Sequence, residues 1–233
     1  TGKQAGYLRI PHSVHRSAYG WIGVPIVSLS NGTGPTILIL AGVHGDEYEG
    51  QIAVAKLARS LDAGDIRGRV ILLPMTNTPA AEAGTRVSPV DQGNLNRSFP
   101  GDPAGTPTQM IAHYIEEVLL PLCDVMVDLH SGGSSLIYPA TLLRGRGADA
   151  VEAGMLHRLQ AAFDLPFAWV FGGGGRGSTG RTAMAAANRQ GVPSVMAELG
   201  GAGAVDKGVL AGAERGLRRI LHDLGMYPGY QAD

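Results

Sequence analysis

Apolar positions fall into two recurring patterns along the chain. Thr36-Ile37-Leu38-Ile39-Leu40-Ala41 is a short unbroken apolar run, the pattern of a strand buried on both faces. The spacing of Ile52, Val54, Ala55, Leu57, Ala58 and Leu61 then predicts a helix over Asp46 to Leu61. Arg69 to Met75 is the next expected strand, closed by Pro74 and an Asn77-Thr78-Pro79 turn. The alternation continues with a helix over Thr108 to Leu120, a strand over Cys123 to Leu129 and a helix over Val151 to Phe163. A strand touching Trp169-Val170-Phe171 precedes a glycine run. A helix over Thr182 to Arg189, a strand over Pro193 to Leu199 and a closing helix over Val205 to Leu224 complete the series. Repeated β-α alternation predicts an α/β fold with a mostly parallel sheet flanked by helices on both faces.

Length and composition narrow the class. At 233 residues and 44% hydrophobic content, residues 1–233 are expected to form a single domain that buries its core without disulfide support. The only cysteine, Cys123, lies in the apolar run Leu122 to Val127 and is expected to be a packed core thiol. Sparse cysteine use fits the cytoplasm. A formal net charge of -1 leaves no footprint for nucleic acid or an anionic membrane. No apolar stretch approaches the roughly 18 to 20 residues that a membrane span needs. Homo-oligomer formation stays open.

The polar residues gather where such folds place their chemistry. Ligands of open α/β sheets bind beyond the carboxyl ends of the strands. His44 and Glu47 follow the strand ending at Ala41, His130 follows Leu129, and Glu198 lies near the end of Pro193 to Leu199. In a tight turn entering a helix, His44 and Glu47 can converge on one point, with Gly42 and Gly45 freeing the backbone. His130 then supplies a third group. Two imidazoles and one carboxylate leave a fourth position of a zinc ion open for water, as catalytic zinc requires. The bland alternative makes Glu47 a helix N-terminal carboxylate and the two histidines ordinary turn and strand-end residues. Asp128 reads either as a partner behind the site or as a structural residue.

Zinc alone does not hydrolyse an amide, because a base must take a proton from water and return one to the leaving amine. Glu198, where an apolar strand opens into Gly200-Gly201, suits that role if partial burial raises its pKa. The loop Asn94-Leu95-Asn96-Arg97-Ser98-Phe99-Pro100 offers Asn96 and Arg97 to a substrate carboxylate. Arg86 is a candidate for polarising the scissile carbonyl.

The segments Gly42 to Glu47, Asn94 to Pro100, Asp128 to Gly132 and Ala197 to Gly200 together resemble the succinylglutamate desuccinylase/aspartoacylase family of the zinc carboxypeptidase superfamily. Within it, the wording is most similar to N-acetyl-2,4-diaminobutyrate deacetylases. The resemblance implies a zinc-carboxypeptidase-like fold and one zinc ion per chain, held by His44, Glu47 and His130. It makes Glu198 the general acid/base and assigns Asn96 and Arg97 to the substrate carboxylate and Arg86 to the carbonyl. The implied substrate is a small N-acyl amino acid. The spacing from Arg86 to Arg97 looks longer than in aspartoacylases. A C-terminal β-domain found in many members is expected to be absent from this chain or truncated.

Three other readings compete. One is a zinc carboxypeptidase acting on peptides, and another a metal-binding module without catalysis. The third is a nucleotide-binding protein using the Gly172 to Gly180 loop, where Gly175-Arg176-Gly177-Ser178-Thr179-Gly180-Arg181-Thr182 approaches a phosphate-cradling pattern. Arg181 stands where that pattern needs lysine.

Overall fold

A computed structural model describes residues 1–14, 18–172 and 178–231. Its strands are β1 (Gly2–Pro11), β2 (Trp21–Asn31), β3 (Thr36–Ala41), β4 (Gly68–Leu73), β5 (Val125–His130), β6 (Ile137–Gly145), β7 (Phe167–Phe171) and β8 (Ser194–Gly201). Its main helices are α1 (Tyr48–Ser60), α2 (Thr78–Ala83), α3 (Pro107–Tyr114), α4 (Ala150–Phe163), α5 (Ala183–Gln190) and α6 (Lys207–Asp223). The strands form one sheet in the order β1-β2-β4-β3-β5-β8-β6-β7. The central block β4-β3-β5-β8 is parallel throughout, while β2 joins it antiparallel on one side and β6 on the other. The sheet is therefore mixed with a parallel centre, as the alternation predicts.

The apolar run of β3 explains its central place. Ile37, Ile39 and Ala41 face one hydrophobic cluster, which also takes residues from α1, α4 and α6. Leu38 and Leu40 face the other, with Ile111 of α3 and Ala183 and Ala187 of α5. Both faces are covered, so after the half-buried Thr36 every side chain of the strand is apolar, and each buried Leu or Ile contributes about 1.5 to 3 kcal/mol.

The chain turns from β3 through α1 to β4 on one side and later places β5 on the other side of β3. This reversal opens a crevice beyond the carboxyl ends of β3 and β5. Registers carry the arrangement outward: Ala41 lies beside Leu129, and His130 beside Glu198.

Several elements differ from the sequence expectation. The hairpin of β1 and β2 and the whole of β6 lie outside the series of elements expected from the sequence. The expected turn at Asn77-Thr78-Pro79 is the start of α2, with Asn77 as its N-cap. The expected helix over Thr108 to Leu120 keeps α geometry only to Tyr114, then passes through a π turn (Ile115–Leu119) and a 3-10 turn (Leu120–Leu122). Pro121 lacks an amide hydrogen and its ring would clash with the carbonyl four residues back, so the regular ladder cannot run through it. Cys123 caps that last turn instead of entering β5. It is half-buried, with its thiol on the Leu119 carbonyl at 3.1 Å, and burial pushes its pKa up to about 12. Among the described residues, no helix is long and apolar enough to cross a membrane.

Candidate active site

The turn after β3 is shaped by two glycines. Gly42 adopts φ 68°, and a Cβ on Gly45 would fall 2.0 Å from the Ala80 carbonyl, so the backbone runs hard against α2. Gln51 secures the turn from within α1, donating to the carbonyls of Gly45 and Glu47 at 3.0 and 2.9 Å. Glu47 is the N-cap of α1 but makes no capping bond with its side chain. Its carboxylate turns into the crevice.

There it meets both histidines. His44 Nδ1 lies 2.7 Å from Glu47 Oε1, and His130 Nδ1 lies 2.9 Å from Oε2, which also accepts the Ser131 amide at 3.0 Å. One ligand atom from each of His44, Glu47 and His130 falls within 4.8 Å of the others, and all three residues are buried. The outer nitrogens are held as well: His130 Nε2 by Asp128 Oδ2 at 2.9 Å, and His44 Nε2 against Asn94 Oδ1 at 3.2 Å. Metal-bound histidines need this kind of outer partner to fix tautomer and ring orientation. The donor set therefore fits a divalent cation, and two imidazoles with one carboxylate fit zinc.

The charges are strongly coupled. Burial would raise the Glu47 pKa, but His130 and His44 outweigh it and pull it down to about 2. Burial opposes protonation of His130, yet Asp128 and Glu47 raise its pKa well above the ordinary value. A cation bound at Nδ1 would displace that proton.

Glu198 stands beside His130 across the β5–β8 register. Burial, with smaller contributions from Glu47 and Asp128, raises its pKa to about 7 against the pull of His130 and Arg86. Its Oε2 is buried without a hydrogen-bond partner among the described residues. A carboxylate poised near neutrality beside the three-residue cluster has the protonation behaviour of a general base.

A cleft of about 740 Å³ opens over these groups and brings together all seven residues singled out from the sequence. Arg86 is half-exposed at its rim and donates to Glu47 Oε1 at 3.3 Å, so in this arrangement it faces a carboxylate rather than open space. Arg97 is exposed and donates to the Asn96 carbonyl at 2.7 Å. Asn96 is buried, and its Oδ1 accepts the Ala183 amide at 3.0 Å, tying the loop to the start of α5 and keeping Nδ2 as the donor end of the amide.

The catalytic-domain model for succinylglutamate desuccinylase/aspartoacylase matches residues 33–224. The chain belongs to this family. It is 43% identical over 228 residues to the N-alpha-acetyl-L-2,4-diaminobutyric acid deacetylase of Halomonas elongata, covering 98% of this chain and 66% of the relative. A solved succinylglutamate desuccinylase/aspartoacylase from Rhodobacter sphaeroides superposes with a TM-score of 0.91 at 41% identity, covering 98% of this chain and 67% of that one. A product-bound ectoine utilization protein from Ruegeria pomeroyi gives 0.92 at 39% identity, with coverage of 100% and 70%. The chain thus spans about two thirds of the length of these relatives.

Not every site group of this family member stands out in the sequence. Asn94 opens the Asn94 to Pro100 segment, but nothing in the sequence pairs it with His44, 50 positions away. Tyr138 also lines the cleft, placed there by a register shift between Tyr138 and Thr141 opposite Gly200 and Glu198. Of the Gly172 to Gly180 loop, residues 173–177 lie outside the described residues. Gly172, Ser178 and Gly180 line the cleft, and Arg189 holds the carbonyls of Ser178 and Gly180 at 3.0 and 2.6 Å.

Proposed function

We propose that this chain is a zinc-dependent amidohydrolase that removes the acyl group from a small N-acyl amino acid, with residues 1–233 forming one catalytic unit. The observation that carries the reading is the pair of imidazole Nδ1 atoms on the Glu47 carboxylate, with Glu198 beside them at a pKa of about 7. The deacetylase activity of the Halomonas elongata relative supports the substrate class.

His44, Glu47 and His130 would hold the ion, which when bound supplies a Lewis acid and a water of lowered pKa, about 7. Asp128 and Asn94 keep the two imidazoles aimed at it. Asn96 Nδ2 and the Arg97 guanidinium bind the substrate carboxylate and set the scissile amide in the cleft. Arg86 offers donors to the carbonyl oxygen as charge develops there. Glu198 accepts the proton of the attacking water and delivers it to the nitrogen as the C–N bond breaks.

An assay of the purified, zinc-supplied chain on N-acetyl and N-succinyl amino acids, against short unblocked peptides, tests this. Release of free amine from the acyl amino acids alone is the expected result. Cleavage of the peptides alone would transfer the site to the carboxypeptidase reading.

A further inference from the structure

The start of α1 carries three carboxylates, Asp46, Glu47 and Glu49, and only Glu47 belongs to the metal-ligand cluster. Asp46 Oδ2 accepts the amide and the hydroxyl of Ser134, both at 2.8 Å, while its Oδ1 is buried without a partner among the described residues. Glu49 is wholly buried, and among the described residues its carboxylate oxygens make no hydrogen bond of full geometry, only looser approaches from the groups around them. The groups facing it are the Ser131 hydroxyl and the backbone amides of Gly201 and Asp206.

Both carboxylates press on glycine. A Cβ at Gly133 would come 2.6 Å from Asp46 Oδ2, and one at Gly200 would come 2.9 Å from Glu49 Oε1. These glycines have φ 57° and 73°, so the loops pass the carboxylates in backbone shapes that side chains rarely adopt. The loops also lock to each other. Gly132 donates to the Gly200 carbonyl at 3.0 Å, Ala202 to Leu136 at 2.8 Å and Gly203 to Gly133 at 2.8 Å. One loop leaves β5 directly after His130, and the other follows the end of β8, which runs three residues past Glu198 to Gly201.

Buried carboxyl oxygens without partners carry a desolvation penalty that apolar side chains of similar size would avoid. Their gain has to lie in fixing one arrangement of what they touch. We propose that Asp46 and Glu49 are positioning residues, which set the separation between the metal-ligand cluster and Glu198 by bracing the 131–134 loop and the 200–206 segment at the end of β8 against the start of α1. Asp46 acts on His130 through the loop that follows it, and Glu49 acts on Glu198. The inference rests on reading His44, Glu47 and His130 as metal ligands and Glu198 as the base.

The test measures zinc affinity by chelator competition and kcat and KM on the N-acetyl amino acid that the wild type cleaves, with circular dichroism to give the folded fraction. D46N is expected to bind zinc about 10-fold more weakly, the lower end for loss of an outer partner. E49Q is expected to keep its zinc affinity and a KM within about twofold, while kcat falls about 10-fold. S134A and S131A remove the hydroxyls facing Asp46 and Glu49; they give smaller losses of the same two kinds and decide the matter if the carboxylate variants do not fold. Folded variants with both zinc affinity and kcat within about twofold of wild type overturn the proposal, as do losses that merely track the folded fraction. A wild-type chain that binds no zinc overturns the metal reading and the brace together. One that binds zinc but cleaves no N-acyl amino acid overturns the substrate reading alone, and the zinc affinity of D46N still decides the brace.

Discussion

Asp128 and His130, two positions apart on β5, meet side by side at the strand end, with Asp128 Oδ2 2.9 Å from His130 Nε2. Side chains two apart on a strand share a face, so the same pleat that buries both delivers the acceptor to the outer nitrogen. The contact leaves His130 Nδ1 toward Glu47 and sets which nitrogen can bind a cation. Asp128→Asn removes the charge and keeps the volume. Its expected effect is a loss of roughly 10- to 100-fold in zinc affinity or turnover, read by chelator competition and steady-state kinetics. Wild-type values for both would show that the pairing is structural only.

Glu198 should be required in its ionised form. Its pKa of about 7 means that kcat/KM rises with pH through the neutral range, because a protonated carboxyl cannot accept a proton from water. Glu198→Gln should lower kcat by roughly 10²- to 10⁴-fold and abolish that acid limb while the metal stays bound. A pH–rate profile of both proteins checks this, and an unchanged acid limb in the variant would assign the titration elsewhere.

Arg97 is an exposed donor lining the cleft, and its contribution should appear in binding. A hydrogen bond to a charged group is worth about 1.5 to 3 kcal/mol, so Arg97→Ala should raise KM roughly 10- to 100-fold with little change in kcat. Arg97→Lys should recover only part of this, because an ammonium cannot reproduce the two-pronged fork. A fall in kcat at constant KM would contradict the assignment.

Asp91 supplies a stability prediction away from the chemistry. Burial would raise its pKa, but the Thr108 amide and hydroxyl, each 2.8 Å from a carboxylate oxygen, outweigh burial and lower it. A depressed carboxylate pKa stabilises the fold above the unfolded value, about 3.9, and the benefit fades as pH falls through the folded value. Asp91→Ala, which leaves the first turn of α3 without this acceptor, should cost roughly 1 kcal/mol in urea unfolding at pH 7. The difference from wild type should shrink at pH 3, and a constant difference would show that charge is not involved.

Much of this architecture is legible in the residues themselves. The unbroken run of β3 announces a strand covered on both faces, and the strand-end rule then gathers His44, Glu47, His130 and Glu198 on one edge of the sheet. What stays hidden depends on tertiary context. The apolar run of β2 is interrupted by Gly23 and Pro25, and β6 carries Pro139, which reads against a strand but sits where the register to β8 shifts. The break at Pro121 sends Cys123 out of the strand that its apolar neighbours suggest. Asn94 and Asp46 lie within the segments that carry the family resemblance and Glu49 just beyond one, but only the fold shows what each of them touches.

The central claim is that His44, Glu47 and His130 form one metal site. The most direct test is the metal content of the purified chain, set against a His44→Ala/His130→Ala double variant. About one zinc ion per wild-type chain, absent from a folded double variant, is the predicted result. A wild-type chain that takes up no zinc on addition, or a double variant that keeps it, would contradict the account.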